Sequence, residues 1–371
     1  MAVGLVSAAC SSGGSGASSP PSAAPAAGSP TASAGVAAAT AYLQTVTANP
    51  TTLPFNTPLT KPAPKGKFII ALTSTAGVNG VVTAGNAAAA AALGWTFKTI
   101  APGPGAGDLQ KAFETALQQK PDGIIVSGSP KSTYSQALAA AKAAGIPVVS
   151  DSTTDPGGTG DGIISNPDGP PQVHEWGKMI GAAIVKDTGG KAHVLSVSLP
   201  EFPILNSFTD GLKAALTEWC PDCVVTDLNA QASDIGSLGA AVVSAVQKDP
   251  SITYVTFSFG DLSGGVPAAL TAAGLQVKIA GETATPANIQ AVKDGTETAW
   301  TGFAAPILGW YDINAFVQFF TDGDAVAAGK TFLPTQVITK DNAAGLVLDP
   351  NGYYIGVADY EAQFKKLWLL N

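Results

Sequence analysis

The chain contains no arginine; all 19 of its basic residues are lysine. Arginine's planar fork is the usual partner for carboxylate, phosphate and sulfate groups, so an anionic ligand is disfavoured. Histidine is nearly absent too. His174 and His193 stand alone, and neither belongs to a metal-spaced pair. Charged residues make up only 12% of the chain, and the formal net charge is −8, which argues against nucleic acid or an anionic membrane surface as partner. No apolar run reaches the ~18 residues of a spanning helix. There is no P-loop and no nucleophile elbow. The turn Gly103-Pro-Gly-Ala-Gly107 lacks the order of a dinucleotide fingerprint. The expectation is therefore a protein that is not an enzyme and carries no metal or cofactor.

Cysteine is scarce as well, and its three copies divide into one and two. Cys10 follows Val-Ser-Ala-Ala and precedes a Ser/Gly/Ala/Pro run that extends to about Gly35. Such a run cannot bury enough surface to fold. Small residues leading into Cys, then a Ser/Gly stretch, resemble a bacterial lipoprotein signal, although Ser7 stands where Leu is usual and no basic n-region precedes it. Two readings follow for Cys10, a lipid-attachment residue or a free thiol in a tail, and the first is adopted. Cys220 and Cys223 form a C-x-x-C. A zinc site lacks a second ligand pair. A redox motif belongs at a helix start, where the dipole lowers a thiol pKa, whereas this one follows an apolar-periodic run. A local disulfide is the plain expectation.

What is present is alternation of short β-branched runs with amphipathic segments. The stretch 120–152 shows it best: Ile124–Val126, then Thr133–Ala144, then Ile146–Val149, a strand, a crossover helix and a parallel strand. The same rhythm gives strands at 68–72, 96–100 and 162–164, then restarts at 193–197, 224–227, 252–257 and 277–280. Two doubly wound parallel-sheet lobes of α/β class follow. A strand at 299–303, a helix at 313–320, a strand at 335–338 and a helix at 360–367 complete the chain.

Ligands of open parallel sheets bind beyond the carboxyl ends of the strands. Those ends nominate Ser74, Thr75, Asn79, Ser127, Ser129 and Asp151 in the first lobe, and Glu201, Phe202, Gln231, Phe259, Asp261, Glu282 and Thr283 in the second. Ser74, Ser127 and Thr283 serve equally well as helix caps.

Several segments resemble the type I periplasmic binding proteins, particularly the sugar-binding branch. They are Lys-Pro-Asp-Gly-Ile-Ile-Val at 120–126, Ala-Gly-Ile-Pro-Val-Val-Ser-Asp at 144–151, Asp-Gly-Leu at 210–212, Phe-Gly-Asp at 259–261 and Ala-Gly-Glu-Thr-Ala-Thr-Pro at 280–286. The resemblance covers roughly residues 65–371. It implies three crossings between lobes, near Asn166–Pro167, Ala304–Ala305 and Ile338–Asp341, and adds Asn166 and Asn206 to the ligand-binding candidates. It divides the chain into a signal remnant and tether (1–35), a short helix and linker (36–64), an N-terminal lobe (65–166 plus 305–338) and a C-terminal lobe (167–304 plus 339–371). Sugar binders usually carry Phe-Asp where Glu282-Thr283 stands, and aromatic rings where Gly77-Val78-Asn79 stands. The pocket is thus expected to be more acidic and less aromatic. The resemblance implies a monomeric extracytoplasmic receptor, membrane-anchored through Cys10, that binds a small neutral sugar or polyol by hinge closure and docks on ABC permease subunits. A sensory module, or a receptor for an amine, nucleoside or small aromatic, is the alternative.

Overall fold

The computed structural model describes residues 32–55, 58–105 and 107–370. Cys10 lies outside the described residues. Helix α1 (Ala32–Thr45) precedes the first lobe, so residues 32–35, expected in the tether, form its first turn. The lobe then runs β1 (Phe68–Leu72), α2 (Gly77–Ala92), β2 (Thr96–Ile100), α3 (Asp108–Gln118), β3 (Gly123–Ser127), α4 (Ser135–Ala143), β4 (Val148–Asp151) and β5 (Ile163–Ser165). Its five strands are all parallel, in the order β2-β1-β3-β4-β5. Helices cover both faces of such a sheet, so its central strands bury continuous apolar runs such as Ile69–Leu72 and Ile124–Val126.

The second lobe follows: α5 (Pro170–Thr188), β6 (His193–Ser198), α6 (Pro203–Trp219), β7 (Val224–Asn229), α7 (Leu238–Lys248), β8 (Tyr254–Phe257), α8 (Val266–Ala272), β9 (Lys278–Gly281), α9 (Pro286–Asp294) and β10 (Ala299–Thr301). The chain returns with α10 (Ala305–Phe320) and α11 (Ala325–Gly329), then adds β11 (Val337–Thr339) and α12 (Tyr360–Leu367). The second sheet is ordered β11-β10-β9-β8-β6-β7, with only β11 antiparallel to its neighbour. Helices α5 and α6 meet at backbone distance. A Cβ on Gly177 would lie 2.0 Å from Phe208 O, and one on Gly211 1.9 Å from His174 O, so only glycine fits either place.

Two expected boundaries need correction. The strand expected at 335–338 is β11, which pairs with β10 in the second sheet. The third crossing therefore ends before Val337, ahead of the expected Ile338–Asp341. The closing helix α12, placed by the sequence in the C-terminal lobe, packs on α10 instead. Trp368 stacks on Trp310 at 5.2 Å and Phe364 sits 5.3 Å from the same ring. Helix α10 belongs to the first lobe; a Cβ on Gly123 of β3 would meet Phe316 of α10 at 2.4 Å. Burial of large aromatic faces outweighs chain proximity here.

Candidate functional site

The carboxyl ends of the two sheets converge. A Cβ on Gly77, at the start of α2, would lie 3.5 Å from Asp261 Oδ2, so first-lobe backbone approaches a second-lobe carboxylate at the rim. Deeper in, four buried acids gather: Asp151 at the end of β4, Asp168 just before α5, Asp312 on α10 and Glu282 after β9.

Each is held differently. Ser127 Oγ, at the end of the neighbouring β3, donates to Asp151 Oδ2 at 2.6 Å. Ser152 Oγ donates to Asp168 Oδ2 at 2.8 Å, and Ser152 N–H to Pro167 O at 3.0 Å. Asn86 Nδ2, on α2, donates to Asp312 Oδ2 at 2.9 Å. Glu282 Oε2, Asp168 Oδ1 and Asp312 Oδ1 are buried and have no protein partner. Three residues around the site, Ser152, Asp168 and Thr283, adopt positive φ of 52°, 56° and 58° without being glycine. Strained backbone of this kind concentrates where a fold holds side chains for a purpose.

Burial raises all four carboxyls by penalising the ionised form. Desolvation lifts Asp168 to about 8, helped by the neighbouring Asp151 charge. Asp151 rises to about 7, opposed by its serine hydrogen bonds. Glu282 is raised by desolvation and then by Asp168, and Asp312 by desolvation and by Asp151 and Asp168. Asp168, on the crossing between lobes, therefore couples to Asp151 and Asp312 on one side and to Glu282 on the other, and among the described residues no lysine or histidine offsets them. Lys131, in the loop after β3, is committed to Asp161 at 2.8 Å.

The second sheet adds a row of hydroxyls. Val197, Phe257 and Gly281 pair in register, so the next residues, Ser198, Ser258 and Glu282, share the opposite face. Ser198 Oγ, Ser258 Oγ and Thr256 Oγ1, one pleat back, are buried without a protein partner, as are Gln172 Nε2 and Trp176 Nε1 on α5. Buried polar groups are ordinarily paired, and this many at one strand-end face marks a place built for a polar guest.

The nominated residues divide. Ser127, Asp151 and Glu282 belong to the buried centre, and Asp261 to the rim. Thr283 is buried, its N–H donating to Thr301 Oγ1 at 3.2 Å. Ser74 Oγ accepts from Ala76 N–H at 3.1 Å in the turn before α2, Thr75 is exposed, and Asn79 is half-buried within α2. Ser129, Phe202, Asn206 and Phe259 are half-buried. Asn166 braces the loop ahead of it, donating to Thr153 O at 2.9 Å and Asp155 O at 2.7 Å. Glu201 accepts the Ala232 N–H on an exposed loop, and Gln231 beside it is exposed. The sequence reading missed Asp168, Asp312, Ser198, Thr256, Ser258, Gln172 and Trp176. Asp312 carried a usable signal, since it is the only charged residue of a mostly apolar helix. Cys220 and Cys223 pair at the end of α6 with Cα atoms 5.3 Å apart.

The sequence from 68 to 322 matches the family model described as a periplasmic binding protein domain. No curated protein matches the chain. Among solved structures, an ABC sugar transporter subunit from Rhodobacter sphaeroides is similar, with 22% identity and a TM-score of 0.65 over 75% of this chain and 99% of that one. GanP, a glucose-galactose binding protein from Geobacillus stearothermophilus, has 17% identity and a TM-score of 0.65 over 75% and 99%. A carbohydrate transporter from Acidothermus cellulolyticus, in complex with myo-inositol, has 22% identity and a TM-score of 0.62 over 75% and 96%.

Proposed function

The chain belongs to the periplasmic binding protein domain family, and from that premise we propose that it is the solute receptor of an ABC importer, closing its lobes on a small polyhydroxylated ligand. One observation carries this reading: Asp151 of the first lobe, Glu282 of the second and Asp168 on the crossing between them are all buried, and Asp168 lies within electrostatic reach of both Asp151 and Glu282. Carboxylates accept hydroxyl protons strongly, and the hydroxyls of Ser198 and Ser258 both accept and donate. A ligand spanning this set binds the closed form better than the open one, and that difference shifts the hinge equilibrium. The inositol and sugar names of the similar structures support the same chemistry. In this reading the protein is a monomer, performs no reaction and carries no cofactor. It is extracytoplasmic, is anchored through a lipid on Cys10, closes Cys220 and Cys223 into a disulfide, and presents its closed surface to permease subunits. None of the described helices is long and apolar enough to cross a membrane.

A second reading draws on the acids alone. Buried carboxyls with no cation beside them suit a ligand that brings a protonated amine. A thermal-shift panel of myo-inositol, D-glucose, D-arabinose, allitol and D-glucosamine separates the two. The main reading expects a neutral member to raise the melting temperature and to reduce the scattering radius of the particle. Glucosamine binding with glucose silent would favour the amine. No shift from any member, or a shift with no compaction, would overturn closure on a polyhydroxylated ligand.

A further inference from the structure

The family model begins at 68 and ends at 322, and the segments on either side of it are tied to both lobes. On the second lobe, α1 lies against α5 and α6. The Tyr42 ring is 5.3 Å from Trp219, its hydroxyl donates to Glu175, and Lys178 Nζ sits 5.0 Å above it. The chain then meets the edge strand of the second sheet, where Val337 N–H donates to Val46 O at 2.7 Å and Asn342 Nδ2 to Thr47 O at 2.9 Å. It next runs along α12. Leu53 N–H donates to Gln363 Oε1 at 2.8 Å, and Leu59 N–H to Leu367 O at 3.0 Å. It ends on the first lobe, where the Phe55 ring lies 4.8 Å from Tyr311 of α10 and Trp95 Nε1 donates to Pro64 O at 2.6 Å. Helix α12, which leaves the second sheet after β11, is itself bound to α10, with Trp368 Nε1 donating to Asn314 Oδ1 at 2.8 Å.

Among the described residues the chain therefore passes between lobes five times: along 47–55 and 58–64, at 165–170, 302–305 and 333–337, and from β11 to α12. We propose that residues 47–55 and 58–64, laid on α12, form a strap across the hinge that restrains opening and biases the free receptor toward closure. Rotation of the second sheet away from the first carries Val337 and Asn342 with it, and so pulls on Val46 and Thr47. Eight chain steps separate Thr47 from Phe55, about 27 Å when fully extended, so length alone would permit a wide opening. The restraint comes from the pairing along α12: the strap must peel from Gln363 and Leu367, or α12 must leave the Trp310 face. None of these contacts involves the strand-end acids, so the strap acts on the hinge and not on the ligand. It rests on the two-lobe hinge and not on the ligand's chemistry.

The test is made on the full chain without ligand, with spin labels at Lys142→Cys on α4 and Lys248→Cys on α7 in a Cys10→Ser background. One variant inserts Gly-Ser-Gly-Ser between Asn49 and Pro50. A second, Gln363→Leu, keeps the side-chain bulk on α12 and removes the hydrogen bond from Leu53 N–H. Loss of that bond should raise the open-to-closed ratio about two- to tenfold, and the insertion should lengthen the interlobe distance further. Distance distributions identical to the parent's in the variants that fold would overturn the strap. Rapid hydrogen exchange at Leu53 and Leu59 in the parent would do the same, since a docked strap protects both amides. Slow exchange there in the parent, with longer distances in Gln363→Leu, supports it. Failure of every sugar and amine to bind would leave this outcome unchanged and would count only against the ligand reading.

Discussion

Replacing Asp168 with Asn should make the protein more stable at pH 8 and change little near pH 4. Asp168 is 5% exposed, so solvent screens it weakly. Its carboxyl is raised to about 8 in the folded protein, against about 3.9 in an unfolded chain. The folded state thus keeps a proton that the unfolded state releases. Stability from this group is fully present below about pH 4 and is lost as pH rises through about 8. The full span is about four units at about 1.4 kcal/mol each, on the order of 4–6 kcal/mol. Asp151, Glu282 and Asp312 are shifted the same way, so the parent should lose more than one proton's worth of stability across the window. Asp108, Asp161 and Asp249 have lowered values; they titrate below the window and do not mask it. Asn keeps the shape and can still accept from Ser152. Urea midpoints between pH 4.5 and 8, at constant m-value, read the slope directly. The variant's slope should be shallower by about one proton. A parent whose stability is flat or rises over this range, or a variant with the parent's slope, would refute the argument.

Two further outcomes are expected. Asp151→Asn should weaken binding of whichever neutral panel member binds by about ten- to a hundredfold in Kd, since a charge-assisted hydrogen bond contributes roughly 1.5–3 kcal/mol; titration calorimetry at pH 8, where Asp151 is mostly ionised, measures it, and parent-like affinity would reduce Asp151 to a partner of Ser127. Replacing Cys220 and Cys223 together by Ser should lower stability by about 2 kcal/mol, because so short a loop restrains the unfolded chain only modestly, while leaving that ligand's affinity intact. Two free thiols by mass spectrometry in exported parent protein would remove the basis for it.

The strands were the most legible part of the chain. β1 and β2 lie where the sequence placed them, at 68–72 and 96–100: β1 is the continuous apolar run expected of a buried parallel strand, and β2, at the sheet edge, is a partly exposed run, Thr-Phe-Lys-Thr-Ile. Helix starts were less legible. α6, α9 and α10 begin at or next to Pro203, Pro286 and Pro306, ahead of the apolar periodicity that announced them. Proline suits the first turn, where its missing N–H has no partner to lose, and a hydrophobic pattern does not register that turn. The lobe to which α12 belongs could not be read locally. Trp310 and Trp368 are separated by a whole strand and loop, and their stacking is a tertiary choice. The site was legible where strand-end logic applied, at Asp151 and Glu282. It was hidden where the contributing residue sat before a helix, as Asp168 does, or within one, as Asp312 does.

The missing arginine and the buried acids are two sides of one electrostatic arrangement. A guanidinium beside Asp151 or Asp168 would hold the carboxylate ionised and lower its pKa. The site would then present fixed acceptors only. Without one, desolvation leaves these groups titrating near neutrality, at about 7 for Asp151 and about 8 for Asp168. A protonated carboxyl donates one hydrogen bond and still accepts others, so the same side chains can meet a ligand hydroxyl from either direction. Anions are repelled by whichever acids remain ionised. A polyol presents hydroxyls that donate and accept in turn, which is the complement of such a set. A protonated amine would be held best at the pH where the acids are ionised, and a polyol would bind across the whole range. The pH dependence of affinity, strong for glucosamine and weak for myo-inositol, therefore separates the two ligand classes on the same protein. An affinity for myo-inositol that collapsed by more than a hundredfold between pH 6 and 8 would show that the acids, and not the hydroxyl row at Ser198 and Ser258, dominate the cleft.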